Sequence, residues 1–207
     1  MTEYKTIAAY ASGEFTERKS RFIGHISPAE TEEQALAFVQ EMRTKYRDAT
    51  HNVFAFILRG QAIRRCSDDG EPQGTGGVPV LDVIEREGLV DACVVVTRYY
   101  GGILLGTGGL VRAYSHGARL AVDAARIVHM APCSVLQLVC DYSFYGRLMN
   151  LLPNYRAAVL ESDFGVLVTL RLMMRSELRE AFVKEVTELS AATVAPRLLE
   201  ETFADMA

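Results

Sequence analysis

Two short runs constrain this chain most: "NVFAFIL" at residues 52–58 and "DACVVVT" at 91–97. Each has an apolar interior, is rich in β-branched or aromatic residues and is of strand length, so each reads as a central strand of a sheet. Between them, "VPVLDVIEREG" places Pro79 near a helix start and Gly88 just past its end. Proline suits the first turn and glycine the stop, which predicts a helix of two to three turns.

Further elements follow from periodicity. In "SPAETEEQALAFVQEMRTKY", Thr31 and Gln34 can form a capping box, and Ala35, Phe38, Val39, Met42 and Tyr46 recur at helical spacing. The first twenty-five residues predict two short strands or a hairpin turning at Ser12–Gly13. From 108 to 126, apolar residues at Leu110, Val111, Tyr114, Ala118, Ala121, Val122 and Ala125 recur at helical spacing and predict an amphipathic helix. Arg112, His116, Arg119 and Asp123 share its wet face, which is partly cationic.

Pro132 interrupts the pattern, and a boundary near residues 130–134 divides the chain into domains 1–131 and 132–207. Beyond it come a strand at 135–142, a helix at 145–152, strands at 158–163 and 166–173 turning at "SDFG", a helix at 177–190 and a strand at 193–199. Pro196 confines that last strand to an edge. The order βαββαβ is that of a ferredoxin-like domain, and the fold class is α+β.

The composition argues against disorder, with 49% hydrophobic and 23% charged residues. Net charge is −4, so neither half is a bulk basic nucleic-acid domain. Polyanion contact requires a local patch, for which Arg18, Lys19, Arg21, Arg64 and Arg65 are the densest cations. Cys66, Cys93, Cys133 and Cys140 lack metal-site spacing and read as reduced thiols. Without a leader or an apolar run of membrane length, the expectation is a soluble cytoplasmic protein.

Two glycine-rich motifs carry the chemistry. "RYYGGILLGTGG" has no lysine where a P-loop needs one, and "GTGGLV" lacks the last glycine of a dinucleotide fingerprint, so no nucleotide cofactor is expected. The segment instead leads from a strand into a helix, where the amides of Gly108, Gly109 and Leu110 can receive an anion. Gly101, Gly102 and Gly106 either admit a ligand or shape a tight turn. Arg21, Arg98 and Arg112 are candidate phosphate contacts, with His116 and Arg119 beside Arg112, and Tyr99 and Tyr100 candidates for base stacking. In "SDDGEPQGT", Asp68, Asp69 and Glu71 are either turn residues or, with His51, an acid/base or hard-cation site. No structural metal is expected.

Taken together, "KSRFIGHI", "DATHNVFAF", "SDDGEPQGTGGVPVLDVI" and "VVVTRYYGGILLGTGGLVRAYSHGA" resemble the YigZ/IMPACT family, in its bacterial two-domain form without the RWD domain of eukaryotic relatives. The resemblance implies an amino-terminal two-layer βαβ domain of ribosomal-protein type, similar to domain IV of elongation factor G. It also implies a ferredoxin-like second domain similar to domain V. Eukaryotic relatives regulate translation by binding the activator of an initiation-factor kinase. For this chain the expected partner is therefore RNA or the ribosome, with no membrane and no DNA sequence specificity. The alternative is an enzyme acting on a small anionic ligand around His51 and residues 67–75.

Overall fold

A computed structural model describes residues 2–60 and 62–205. Two compact units result: Tyr4–Val128 forms one, and the chain from His129 on, with the residues before Tyr4, forms the other.

In the amino-terminal unit β1 (Tyr4–Ile7) precedes the hairpin β2 (Ala11–Glu17) and β3 (Ser20–Pro28), followed by α1 (Glu32–Lys45), β4 (His51–Leu58), β5 (Ile63–Ser67), α2 (Gly77–Arg86), β6 (Ala92–Tyr99) and α3 (Thr107–Ala124). Five of the strands make an antiparallel sheet in the order β2-β3-β6-β4-β5. The hairpin does not turn at Ser12–Gly13. Gly13 lies inside β2, opposite Gly24, and the reversal falls at Arg18 and Lys19, both at positive φ. Tight two-residue turns take that conformation because it matches strand twist, and here two basic residues adopt it without the usual Asn-Gly cue.

The central strands are apolar on both faces because helices cover both. Val53, Ala55 and Ile57 of β4 with Val94 and Val96 of β6 pack toward α2 and α3. Phe56 and Leu58 with Cys93 and Val95 pack toward α1. The expected two layers are thus three, since α1 closes the face a two-layer domain leaves wet. Thr31 caps α1 by the anticipated reciprocal bonds with Gln34. Gly24 sets the seat of α3: a Cβ there would lie 1.9 Å from the Gly117 carbonyl oxygen, so only glycine allows this approach of helix to strand.

The carboxy-terminal unit carries β7 (Ile127–Cys140), α4 (Tyr142–Leu151), β8 (Ala158–Phe164), β9 (Val168–Arg175), α5 (Arg179–Leu189) and β10 (Arg197–Asp205). The antiparallel order β10-β7-β9-β8 is ferredoxin-like. Leu138, Leu148, Leu170, Leu172 and Phe182 lie at the centre of its core. The last strand begins at Arg197 and not at residue 193, because Ala191 and Ala192 turn the chain at positive φ and Pro196 offers no amide to a ladder.

Candidate functional site

The two glycine motifs meet. Residues 67–77 link β5 to α2, and the loop wraps around one side chain. Asp68 accepts hydrogen bonds from the amides of Gly74 at 2.8 Å, Gly76 at 2.9 Å and Gly77 at 2.8 Å. Burial disfavours its ionised form, yet the three amides outweigh burial and hold the carboxyl below its usual range. Asp68 is therefore a cap at the start of α2, with no oxygen turned to His51. Asp69 is also engaged, accepting from the Asn52 amide at 2.6 Å and from Arg43 at 2.5 Å.

Glu71 turns inward. Its Oε1 accepts from Arg98 Nη1 at 2.5 Å and from the Tyr114 hydroxyl at 2.7 Å, and His51 Nε2 stands 3.8 Å away. The other His51 ring nitrogen, Nδ1, lies 2.8 Å from the Asp69 carbonyl oxygen. The sequence candidates His51, Asp69 and Glu71 are thus brought together, while Asp68 is not. Both Glu71 and Arg98 are in the core, at 8% and 5% exposure. Burial, and then the carboxylate, push the Tyr114 hydroxyl far above its ordinary value, so this tyrosine remains a donor.

Arg98 requires a correction. Expected on the surface as a phosphate contact, it is buried, neutralised by Glu71, and stacked 5.5 Å over Phe22 and 5.4 Å from the ring of Tyr100. Its Nη2 donates to Ser20 Oγ at 3.4 Å, and the same oxygen accepts from the Gly101 amide at 3.1 Å. A Cβ on Gly101 would fall 2.1 Å from the Lys19 backbone, so this glycine serves close packing and cannot admit a ligand. Tyr99 donates to Asp48 at 2.9 Å, and Arg21 is paired with Glu14 at 2.5 Å. Leu110 is a further correction, because its amide already bonds the Gly106 carbonyl.

A second feature lies on the outer surface. A cleft of ≈ 260 Å³ separates the β2–β3 hairpin from α3, with Phe15, Glu17 and Arg18 on one wall and Gly109, Arg112 and His116 on the other. Leu105 and Ala113 complete it. Its cations differ from Arg98. Arg18 and Arg112 are exposed, and neither makes an ion pair with a carboxylate among the described residues. Arg112 lies back along α3, with Nη1 3.9 Å from where a Gly108 Cβ would be. The amides of Gly108 and Gly109 belong to the first turn, where no intrahelical acceptor exists. The His116 ring meets Phe15 edge-on at 4.5 Å and also lines a neighbouring depression with Arg86 and Arg119. Arg119 is paired with Glu87 and Asp123.

The sequence reading missed two contributors, Phe15 as a cleft wall and Tyr114 as a donor to Glu71. The signal for Tyr114 was a hydroxyl in an otherwise aliphatic stripe, since a buried tyrosine needs a partner. Among the described residues, no cluster of three His, Cys, Asp or Glu side chains is placed to hold a metal. No described helix is long and apolar enough to cross a membrane.

Residues 18–122 match the family model described as the Impact N-terminal domain, and 138–193 match a domain of unknown function, DUF1949. The IMPACT family member YvyE of Bacillus subtilis is 35% identical over 188 residues, covering 90% of this chain and 87% of that protein. Protein IMPACT of Mus musculus is 34% identical over 97 residues, which span 44% of this chain and 30% of the mouse protein. A crystal structure described as that of a hypothetical protein aligns over 97% of this chain and 98% of its own, with 32% identity and a TM-score of 0.63.

Proposed function

Because the chain belongs to the IMPACT family, we propose that it is a translation-linked protein whose amino-terminal unit binds RNA or the ribosome through the cleft between the β2–β3 hairpin and α3. Family membership supplies the translation link, since eukaryotic members regulate translation. The observation that carries the binding reading is the cleft itself, in which Arg18 and Arg112, neither in an ion pair with a carboxylate among the described residues, flank the open first turn of α3. Guanidinium groups and free helix amides are the donors that phosphate oxygens accept from, and Phe15 and His116 supply a ring face beside them. With a net charge of −4, the chain meets a polyanion through this patch and not through its bulk field.

The acid/base alternative has less support, because Glu71 already accepts from Arg98 and Tyr114 and Asp68 from three amides. Glu71 is buried and its Oε1 is committed to holding two loops together.

The test is binding of the full chain to ribosomes and to oligoribonucleotides at about 50 and about 200 mM salt. Affinity is expected to fall steeply with salt, and replacing Arg18 and Arg112 by alanine is expected to reduce the logarithmic salt slope by about 1.4, at about 0.7 per single-strand phosphate contact. No binding at the lower salt, or binding indifferent to salt, overturns the reading.

A further inference from the structure

We propose that the loop between Gly101 and Gly106 is a wedge for unpaired bases, so that the RNA held by the neighbouring cleft is single-stranded or looped, not duplex. The inference rests on the RNA reading above and deepens it. Its starting point is an exposure that folding alone does not explain. Leu104 is 79% exposed and Ile103 40%, with Tyr100 at 45% just before them. Polar residues would turn this loop equally well, and a contiguous apolar tip on a soluble unit marks a contact surface.

The tip is presented, not merely loose. Gly101 anchors one end against the Lys19 and Ser20 backbone, and Gly102 and Gly106 bend the chain at φ 82° and 72°. Arg18 Nη1 donates to the Leu104 carbonyl at 3.3 Å, tying the tip to the wall of the cationic cleft. The next residue, Leu105, lines that cleft and packs on Gly109, where an added Cβ would meet the Leu105 Cβ at 2.9 Å. An apolar tip therefore adjoins a cleft whose walls carry Arg18 and Arg112 together with Glu17, beside the first turn of α3. Single-stranded RNA alternates in the same way, flat apolar bases on one side of an anionic backbone.

Other occupants match less well. Duplex RNA keeps its base faces stacked inside and offers nothing to Leu104. A bilayer would bury only two aliphatic side chains here, too little apolar area for stable anchoring. An apolar protein partner would use the tip and leave the exposed Arg112 guanidinium without a counter-charge.

The experiment uses the full chain and three probes: a fluorescent single-stranded oligoribonucleotide, the same strand annealed to its complement, and phosphatidylcholine vesicles containing phosphatidylserine. Single strand is expected to bind at least about tenfold more tightly than duplex, and Ile103→Ser with Leu104→Ser to remove that preference without changing the salt slope. Leu104 is mostly exposed and Ile103 partly so, and the variant's melting temperature should fall by no more than a few degrees. Leu104→Trp gives a second readout, because the chain contains no tryptophan. Its indole fluorescence should be quenched by single strand and not by duplex. Equal affinity for the two RNA forms, an unaffected serine variant, or an indole that responds only to vesicles overturns the wedge while leaving the cleft reading intact. Absence of RNA binding by the parent chain at low salt overturns both.

Discussion

Tyr114 on α3 donates a 2.7 Å hydrogen bond to Glu71 in the loop before α2, onto the same oxygen that neutralises Arg98. One carboxylate thus joins the two glycine motifs and the helix that follows them. Removing the hydroxyl in Tyr114→Phe is expected to cost about 1–2 kcal/mol. Removing the carboxylate in Glu71→Ala leaves a guanidinium buried without its counter-charge and is expected to cost about 3–5 kcal/mol. Urea denaturation of both variants and their double mutant checks this. Additive effects would show that the three groups do not act as one network.

His25 makes stability depend on pH. Its ring is fully buried between Tyr10 and Tyr46, and burial first, then the Lys45 charge, lower its pKa from 6.5 to about 4. The unfolded chain accordingly takes up a proton where the folded chain does not, and stability falls as pH drops from 6.5 toward 4. The loss should reach about 3 kcal/mol, at 1.36 kcal/mol per pKa unit. Denaturation midpoints across this window, compared with His25→Gln, should show this component vanish in the variant.

At Gly24 the backbone of α3 is the obstacle. Gly24→Ala would place a methyl group 1.9 Å from the Gly117 carbonyl oxygen, and a backbone atom cannot move aside as a side chain can. The expected cost is about 3 kcal/mol or more. Gly60→Ala, where a Cβ meets nothing within 4 Å, should be nearly neutral. Thermal melts of the two variants distinguish a packing requirement from a general penalty on glycine replacement.

Asp68→Asn tests the capping role. The amide cannot match a carboxylate that accepts from three glycine N–H groups, and a loss of about 1–2 kcal/mol at neutral pH is expected. Because the folded pKa lies below the usual 3.8, this stability is present above 3.8 and is lost as pH falls through the folded value. The gap between parent and variant should therefore close in strong acid.

Several features were legible in the sequence because local order generates them. The capping box of Thr31 and Gln34 lies within one helical turn. The periodicity of α3 is local as well, and so is the strand and helix succession of the carboxy-terminal unit. The hairpin turn was not legible, because Arg18 and Lys19 give no turn signal and their positive φ is imposed by the pairing of β2 with β3. The third layer escaped for a similar reason. An amphipathic α1 states that it has a buried face, but not which side of the sheet receives it.

The sequence by itself determined which segments become strands and helices, and that glycine-rich loops must connect them, since hydrophobic period and capping are properties of neighbouring residues. Only the tertiary structure decided which arginine is a structural charge and which is available to a ligand. Arg98 and Arg112 each adjoin a glycine motif. Arg98 meets Glu71 and Ser20, which lie 27 and 78 residues away along the chain. Arg112 opens onto solvent on α3. The cost of burying a charge is met by partners that only the folded chain brings together, so the fate of each cation follows from long-range contacts and not from the residues beside it.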